Sequence, residues 1–362
     1  MKPTQTIKLL DTFAWVGGFH LALEQSIWKE NIQCIWFSEI DKFAKQVYQE
    51  HFPDSPDLWD ITKIDIDNLP DFDIVTGWFP CQDVSVAWKQ SLEWWRTVLV
   101  EYLLQILEKK QPKYFVFENV KWLMSKKFDT FRESIFQRML FAWYEMRYQV
   151  LNTKDFWLPQ NRERVFMVWK LSPHKWIYQF PKWQELTTFL KDILEEEVDE
   201  KYCLSDKAVE KILYIVKPKE DTLAVQYYNK REFKENDILW TIWTWCGSWS
   251  WKQAYSIMVK NATKKGYIEW QEWDWINLSF PNSKTRRWRV TKNISSTLMC
   301  NDGNWVISEK LNIRKLTPTE CCRLQWFPDN WSNDFVSNSQ AYKQMWNAIS
   351  VPVVEAIFDN LF

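Results

Sequence analysis

Short apolar runs alternate with amphipathic stretches along the first half of the chain. Runs typical of buried strands cover residues 7–13, 34–37, 72–76, 114–117 and 165–169. Helical periodicity marks residues 19–25, 42–50 and 97–109. Strands that alternate with helices predict an α/β fold, in which a mostly parallel sheet is covered on both faces. Ligands of such sheets bind at the carboxyl ends of the strands.

The alternation fades near residue 171, and polar, aromatic and lysine-rich segments follow to about residue 303. A compact pattern returns near Leu316, and residues 342–362 have the pattern of a strand or helix that closes the core. We therefore predict a first domain over residues 1–170 and a smaller inserted domain over 171–306. Residues 307–362 would return to the first domain.

Apolar segments, cysteine and histidine usage and net charge limit the classes of protein to which the chain can belong. The chain has no basic leader before an apolar run and no apolar stretch of membrane-spanning length, which predicts a soluble, cytoplasmic protein. Seven cysteines without framework spacing argue against a secreted disulfide scaffold. With three histidines and no Cys-x-x-Cys motif, we expect no metal site. The net charge of −1 neither favours nor excludes a nucleic-acid partner.

The composition is abnormal in two residue types. The chain has 27 Trp and 6 Gly, whereas ordinary glycine usage predicts roughly 25 in this length. Trp245, Trp249 and Trp251 interleave with Gly247 and serines, as glycines would in a flexible loop.

The segment Phe79-Pro80-Cys81-Gln82 follows the apolar run at residues 72–76. A lone cysteine is by default a small core residue. Cys81, however, follows a strand end and a proline in a polar turn, and a nucleophilic cysteine needs such an exposed position.

Two further polar segments adjoin predicted strands. Glu118 follows four apolar residues, so we expect it to be partly desolvated, with a raised pKa. Arg162 and Arg164 precede the strand at 165–169, and their alternate spacing directs both side chains to one side of an extended chain. The ordinary alternatives are that Glu118 is a surface acid and that Arg162 and Arg164 belong to a solvated run of charges.

In this order, the segments resemble the motif series of the cytosine-C5 DNA methyltransferases over nearly the whole chain. The segment from Asp11 to Phe19 is similar to the family's cofactor loop, Glu39 to its ribose-binding acid, and Asp60-Ile61 to the pair near the adenine. Pro80-Cys81-Gln82, Glu118-Asn119-Val120 and Gln160 to Arg164 resemble the three catalytic segments. Arg314 to Cys321 and Tyr342 to Asn347 resemble the ninth and tenth motifs.

The resemblance implies a Rossmann-like methyltransferase that uses S-adenosylmethionine and acts on a flipped cytosine. Cys81 would attack C6, Glu118 would protonate N3, and Arg162 and Arg164 would hold the base and the nucleophile loop. The implied cofactor-binding residues are Phe13, Trp15, Val16, Gly17, Gly18, Glu39, Ile40, Asp60, Ile61, Pro80, Leu99 and Asn347. The implied DNA-binding residues are Gln82, Ser85, Asn119, Gln160, Lys284, Arg286, Arg287 and Arg289.

The inserted region would recognise the target sequence, and its basic cluster at 284–289 would contact phosphates. The expected substrate is double-stranded DNA, and the expected enzyme is a monomer associated with the nucleoid. A cognate restriction endonuclease would be a functional rather than a physical partner; an orphan or phage relative is the other possibility.

The chain departs from the family pattern where it has tryptophan in place of glycine, at Trp15, Trp59, Trp78, Trp88, Trp157, Trp288, Trp326 and Trp346. Our hypothesis is that the gene belongs to an organism that reads UGA as glycine and was translated with UGA as tryptophan. Under this reading, residues 240–249 become a glycine-rich loop. If the tryptophans are genuine, the alternative is an inactive DNA-binding relative.

A tRNA cytosine-C5 methyltransferase is the other alternative, because relatives of that kind share the catalytic core. An inserted region of more than a hundred residues favours DNA. A dehydrogenase of the Rossmann type is disfavoured, because it would not explain Pro80-Cys81 together with Glu118.

Overall fold

The computed structural model describes residues 5–78, 99–171, 178–205, 213–216, 256–260, 267–270, 272–277, 289–298, 304–307 and 313–362. Several predicted functional positions lie outside these residues: Pro80, Cys81, Gln82, Ser85, Trp88, the loop at 240–249, Lys284, Arg286, Arg287 and Trp288.

Strands and helices alternate through the first half of the chain, as the apolar pattern predicts. The strands are β1 (Ile7–Thr12), β2 (Ile32–Ser38), β3 (Ile74–Trp78), β4 (Tyr114–Val120), β5 (Tyr144–Asn152), β6 (Gln160–Asn161), β7 (Glu163–Leu171), β8 (Leu213–Val216), β9 (Ser256–Lys260), β10 (Tyr267–Trp270), β11 (Trp275–Asn277), β12 (Arg289–Thr291), β13 (Ser295–Ser296), β14 (Trp305–Ile307) and β15 (Ile313–Lys315). The α-helices are α1 (Gly18–Ser26), α2 (Lys42–His51), α3 (Leu99–Lys110), α4 (Asp129–Phe141), α5 (Leu190–Ile193), α6 (Pro318–Arg323), α7 (Asn338–Asn347) and α8 (Val351–Asp359).

A six-stranded sheet forms the centre of the larger unit, in the order β2-β1-β3-β4-β7-β5. The β2–β1, β1–β3 and β3–β4 pairs are parallel, and β7 pairs antiparallel with both β4 and β5. The mostly parallel sheet of the prediction is confirmed. Its central strands are buried on both faces, which is why they read as continuous apolar runs rather than as alternating ones.

One detail, the position of Glu118, differs from the sequence-based expectation, and two others were left open by the sequence. Gly77 lies inside β3, and a Cβ on it would come within 2.3 Å of the Thr12 carbonyl oxygen. Glu118 lies within β4, which continues to Val120, because the antiparallel partner β7 extends the ladder. The last segment forms two helices, α7 and α8.

The chain divides into two compact units, Met1–Thr187 with Cys321–Phe362 and Thr188–Glu320. The second unit contains two antiparallel sheets, β10-β9-β8 and β12-β11-β14-β15. The role of this second unit in target recognition stays a prediction. No helix in the described part of the chain is long and apolar enough to cross a membrane.

Candidate active site

Glu39 joins the ends of the first two strands. It follows β2 and is buried, and its two carboxylate oxygens accept the backbone N–H groups of Trp15 at 2.9 Å and Asp41 at 2.7 Å. Burial raises the pKa of Glu39, which these backbone hydrogen bonds oppose. The carboxylate therefore fixes the loop after β1 to the carboxyl end of β2.

The loop after β1 is tight and left-handed at several points. Gly17 has φ 84°, and its N–H donates to the Ala14 carbonyl at 2.9 Å. A Cβ on Gly17 would lie 2.4 Å from the Phe52 ring, so both the backbone angle and the available space require glycine. Val16 is buried, and α1 begins at Gly18.

Helix α7 borders the same loop from the far end of the chain. Lys343 forms an ion pair with Asp41 at 2.7 Å, and the Gln344 carbonyl accepts the indole N–H of Trp15 at 2.8 Å. Asn347, predicted to bind the cofactor, donates its side-chain amide to the Lys343 carbonyl at 3.2 Å. The roles of Asp41, Lys343 and Gln344 were missed by sequence reasoning. Of these three residues, only Asp41 has a signal in the sequence. It is a hydrogen-bond acceptor directly before α2, as a helix N-cap requires.

The indole of Trp15 fills the space between the loop after β1, Trp78 and α7, which we call the crevice. It is only 7% exposed, and it contacts the Trp78 ring edge-on, with 6.1 Å between the ring centroids. The Lys343 ammonium lies 5.6 Å from the Trp15 ring. The side chain thus occupies space at the carboxyl ends of the parallel strands, where ligands of such sheets bind.

The segment that contains Asp60 is attached to the end of β2. The hydroxyl of Ser38, the last residue of β2, donates to the carbonyl of Trp59, the residue before Asp60, at 3.0 Å. The Asp60 carboxylate accepts the hydroxyl and the backbone N–H of Thr62 at 2.8 and 3.0 Å, and these bonds lower its pKa. Among the other predicted cofactor residues, Ile61 is buried, Ile40 is exposed, and Phe13 and Leu99 pack against the core.

Glu118 and Arg164 form a buried ion pair between β4 and β7. Arg164 Nε lies 2.9 Å from Glu118 Oε1, and Glu118 is 6% exposed. Burial raises the pKa of Glu118, while the positive charges of Arg164 and Arg162 oppose this shift. The predicted desolvation of Glu118 is confirmed, and both arginines act on the same carboxyl group.

Arg162 connects this part of the sheet to the C-terminal end of α7. Its two terminal guanidinium nitrogens donate to the carbonyls of Trp346 at 3.0 Å and Ala348 at 2.7 Å. Gln160 is fully buried, and its side-chain amide has no hydrogen-bond partner among the described residues. Asn119 is also buried, and its side-chain oxygen accepts the N–H of Val120 at 2.9 Å.

Glu118 also lies beside the strand that leads to Cys81. In the parallel β3–β4 ladder, Trp78 is the partner of Glu118. Trp78 is the last described residue before the Pro80-Cys81 segment. Cys81 follows Trp78 by three positions in the sequence and lies outside the described residues.

A strand-end crevice on a parallel sheet, a buried carboxyl group held by arginine and a following Pro-Cys segment agree with one known family. The C-5 cytosine-specific DNA methylase family matches residues 7–362. The chain belongs to this family. It is a DNA cytosine-C5 methyltransferase.

Individual relatives match the methyltransferase along nearly its full length. The Type II methyltransferase M.NlaX of Neisseria lactamica is 32% identical, over 98% of this chain and 96% of that protein. M.HhaI of Haemophilus parahaemolyticus is 29% identical, over 98% and 94%. Among solved structures, the Entamoeba histolytica methyltransferase EhMeth has a TM-score of 0.60 at 16% identity and covers 99% of this chain and 98% of its own. That likeness supports the fold.

Proposed function

We propose that the methyltransferase modifies C5 of a cytosine flipped out of duplex DNA, through a covalent adduct with Cys81 and with S-adenosylmethionine as methyl donor. The observation that carries the proposal is the buried Glu118–Arg164 pair beside the strand that leads to Cys81. A base inside a duplex cannot reach such a buried carboxyl group, which is why flipping is part of the proposal.

The proton balance assigns one task to each side chain. The Cys81 thiolate forms a bond to C6 while a proton passes from Glu118 to N3, so that negative charge does not accumulate on the ring. Transfer of the methyl group to C5 would leave S-adenosylhomocysteine. Loss of the C5 proton to solvent, departure of the Cys81 thiolate from C6 and return of the N3 proton to Glu118 then restore the aromatic ring and the starting state of both side chains. A carboxyl group with a raised pKa holds the proton needed for the first step.

The arginines have different tasks in this scheme. Arg164 has its Nε on Glu118 and orients that carboxyl group. Arg162 donates to two backbone carbonyls, so it fixes the C-terminal end of α7 beside β7. We assign Arg164 a place beside the base and Arg162 a positioning role.

The cofactor crevice fits S-adenosylmethionine in part. When bound, S-adenosylmethionine supplies an electrophilic methyl group. Glu39 can accept ribose hydroxyls with the lone pairs left by its two backbone contacts. The tight loop at Gly17 permits close backbone approach. Trp15 does not fit, because its indole fills the crevice between the loop, Trp78 and α7.

Specific duplex DNA is the proposed substrate. The relatives reported above are named Type II methyltransferases, and they match nearly the whole chain. We therefore propose a role in restriction and modification, with sequence recognition by the unit Thr188–Glu320. Methylation of tRNA in place of DNA would contradict the proposed substrate.

The test is methyl transfer from labelled S-adenosylmethionine to mixed-sequence duplex DNA and, separately, to tRNA. It uses the chain as printed and the Trp15→Gly variant, each with Cys81→Ala and with Cys34→Ala. Cys34 is the matched control because burial raises its pKa to about 12, so that it forms no thiolate at neutral pH. We expect the Trp15→Gly protein to label DNA, and in this background we expect Cys81→Ala to abolish the label and Cys34→Ala to preserve it. Label that survives Cys81→Ala would overturn the covalent mechanism, and label on tRNA alone would overturn the substrate.

A further inference from the structure

Tryptophan is concentrated at left-handed backbone positions. Ten non-glycine residues in the described part of the chain have positive φ, and six of them are tryptophan: Trp15, Trp59, Trp143, Trp157, Trp273 and Trp326. Tryptophan makes up 27 of the 362 residues, so chance does not place it at six of these ten positions. Bulky side chains are strained at positive φ, whereas glycine adopts it freely.

Trp326 shows the mismatch between residue type and backbone conformation most directly, because the hydrogen bonds around it define a known helix ending. The N–H of Phe327 donates to the Cys322 carbonyl, and the N–H of Trp326 donates to the Arg323 carbonyl, both at 3.0 Å. This 6→1 and 5→2 pair is the Schellman motif, and Trp326 with φ 67° occupies its left-handed position. Glycine is the usual residue at that position.

The strain at several of these positions is not offset by packing. Trp59, Trp143 and Trp326 are 52%, 68% and 50% exposed. Trp143 has φ 67° and directly follows the C-cap of α4, where a left-handed glycine is common. An exposed indole gains little from burial, so neither the backbone nor the side chain explains tryptophan at these positions.

Trp15 adds a conflict of space. Its φ is 52°, and its indole fills the crevice beside Glu39 that the proposed cofactor needs. A residue without a side chain at this position would relieve the backbone strain and open the crevice. One substitution therefore explains two independent observations.

We infer that the natural protein has glycine at positions 15, 59, 143, 157, 273 and 326, encoded by UGA codons that its host reads as glycine and that the printed chain renders as tryptophan. A single codon reassignment accounts for the φ angles, the exposed indoles, and the joint excess of tryptophan and shortage of glycine. The left-handed φ angles are evidence for glycine that does not depend on the glycine positions of the family.

The decisive measurement is the nucleotide sequence of the six codons, together with the masses of the corresponding peptides of the protein purified from its own host. UGA codons and glycine masses at all six positions are the expected result. UGG at these positions, or tryptophan masses, would overturn the inference.

A stability comparison tests the structural argument separately. In the six-glycine chain, all six tryptophans are replaced by glycine, and its melting temperature should exceed that of the printed chain. The matched control is Trp331→Gly, because Trp331 is not among the left-handed residues. Its indole stacks on His51 with 3.4 Å between ring centroids and donates to the Val16 carbonyl at 2.9 Å. The control should lower the melting temperature; a six-glycine chain that melts below the printed chain would contradict the inference.

Calorimetric titration with S-adenosylmethionine extends the test to the crevice, and this arm rests on the proposed function. Trp15→Gly should bind S-adenosylmethionine at least tenfold more tightly than the printed chain, because the indole no longer occupies the crevice. Trp326→Gly, which is remote from Glu39 in sequence and relieves strain alone, should leave the affinity unchanged. UGA codons with no binding by Trp15→Gly would refute the proposed cofactor and leave the codon assignment intact.

Discussion

The Nε atom of Arg164 lies 2.9 Å from Oε1 of Glu118, and the carboxyl group of this pair is almost wholly removed from solvent. Burial alone would favour the protonated acid, and the arginine favours the carboxylate. The pair therefore holds a carboxyl group that can both carry and release a proton, as protonation of a base requires.

Glu118→Gln should preserve the fold and reduce methyl transfer. Glutamine has nearly the same shape but no transferable acid proton, and general acid catalysis contributes about 10²–10⁴-fold. We expect a fall in kcat of that order in the Trp15→Gly background, measured with labelled methyl donor. Glu133→Gln, on the exposed side of α4, is the control and should match the parent. Equal rates for the two variants would remove Glu118 from the mechanism.

Arg162→Lys should destabilise the larger unit. Lysine keeps the charge but cannot reproduce the forked donation to the carbonyls of Trp346 and Ala348. The loss should be about 1–3 kcal/mol in the free energy of unfolding, measured by urea denaturation. Arg147→Lys, at a more exposed arginine of β5, should change stability by less than about 0.5 kcal/mol. If both variants unfold at the same urea concentration, Arg162 does not have the positioning role.

Arg314 and Glu320 form a buried pair in the second unit, and breaking it should be costly. The two guanidinium–carboxylate distances are 2.6 and 2.8 Å, and Glu320 also accepts the N–H groups of Thr317 and Glu195. Arg314→Met leaves an uncompensated buried carboxylate, so we expect a loss of about 3–5 kcal/mol in unfolding free energy. Asp329→Asn, which breaks the exposed pair with Arg323, should cost less than about 1 kcal/mol. Comparable losses in the two variants would contradict the difference in burial.

Asp11 should make stability depend on pH. Burial raises its pKa from 3.8 to about 7, against the opposing hydrogen bonds of Thr76 and Tyr48. The folded state therefore binds the Asp11 proton more tightly than the unfolded state. Its stabilising contribution is complete below pH 3.8 and is lost as the pH rises through about 7.

Asp11→Asn should remove this dependence. Asparagine keeps an acceptor for the Thr76 hydroxyl, which donates to Asp11 Oδ1 at 2.7 Å. Between pH 4 and 7 the parent should lose up to about 1.4 kcal/mol per pH unit relative to the variant. Urea unfolding of both proteins across this range measures the difference. Parallel stability curves would show that Asp11 ionises in the folded protein as it does in the unfolded chain.

The local pattern of the chain predicts much of the fold. Runs of apolar residues identify the buried strands, because a strand covered on both faces has no polar side. The period of two along an extended chain predicts that Arg162 and Arg164 act on the same side, and both charges influence Glu118. The order of the polar segments predicts the family, and the family comparison confirms it.

The sequence alone determined the alternation of elements, the candidate chemistry and the anomaly of 27 Trp against 6 Gly. Only the tertiary structure decided that the Trp15 indole meets the Gln344 carbonyl, 329 positions along the chain, and that Arg162 binds carbonyls 184 and 186 positions away. Backbone carbonyls carry no sequence signal, because every residue has one. Likewise, the left-handed φ at Trp326 depends on the helix ending that surrounds it. Local periodicity specifies which segments form strands and helices, and long-range packing specifies which of their atoms meet.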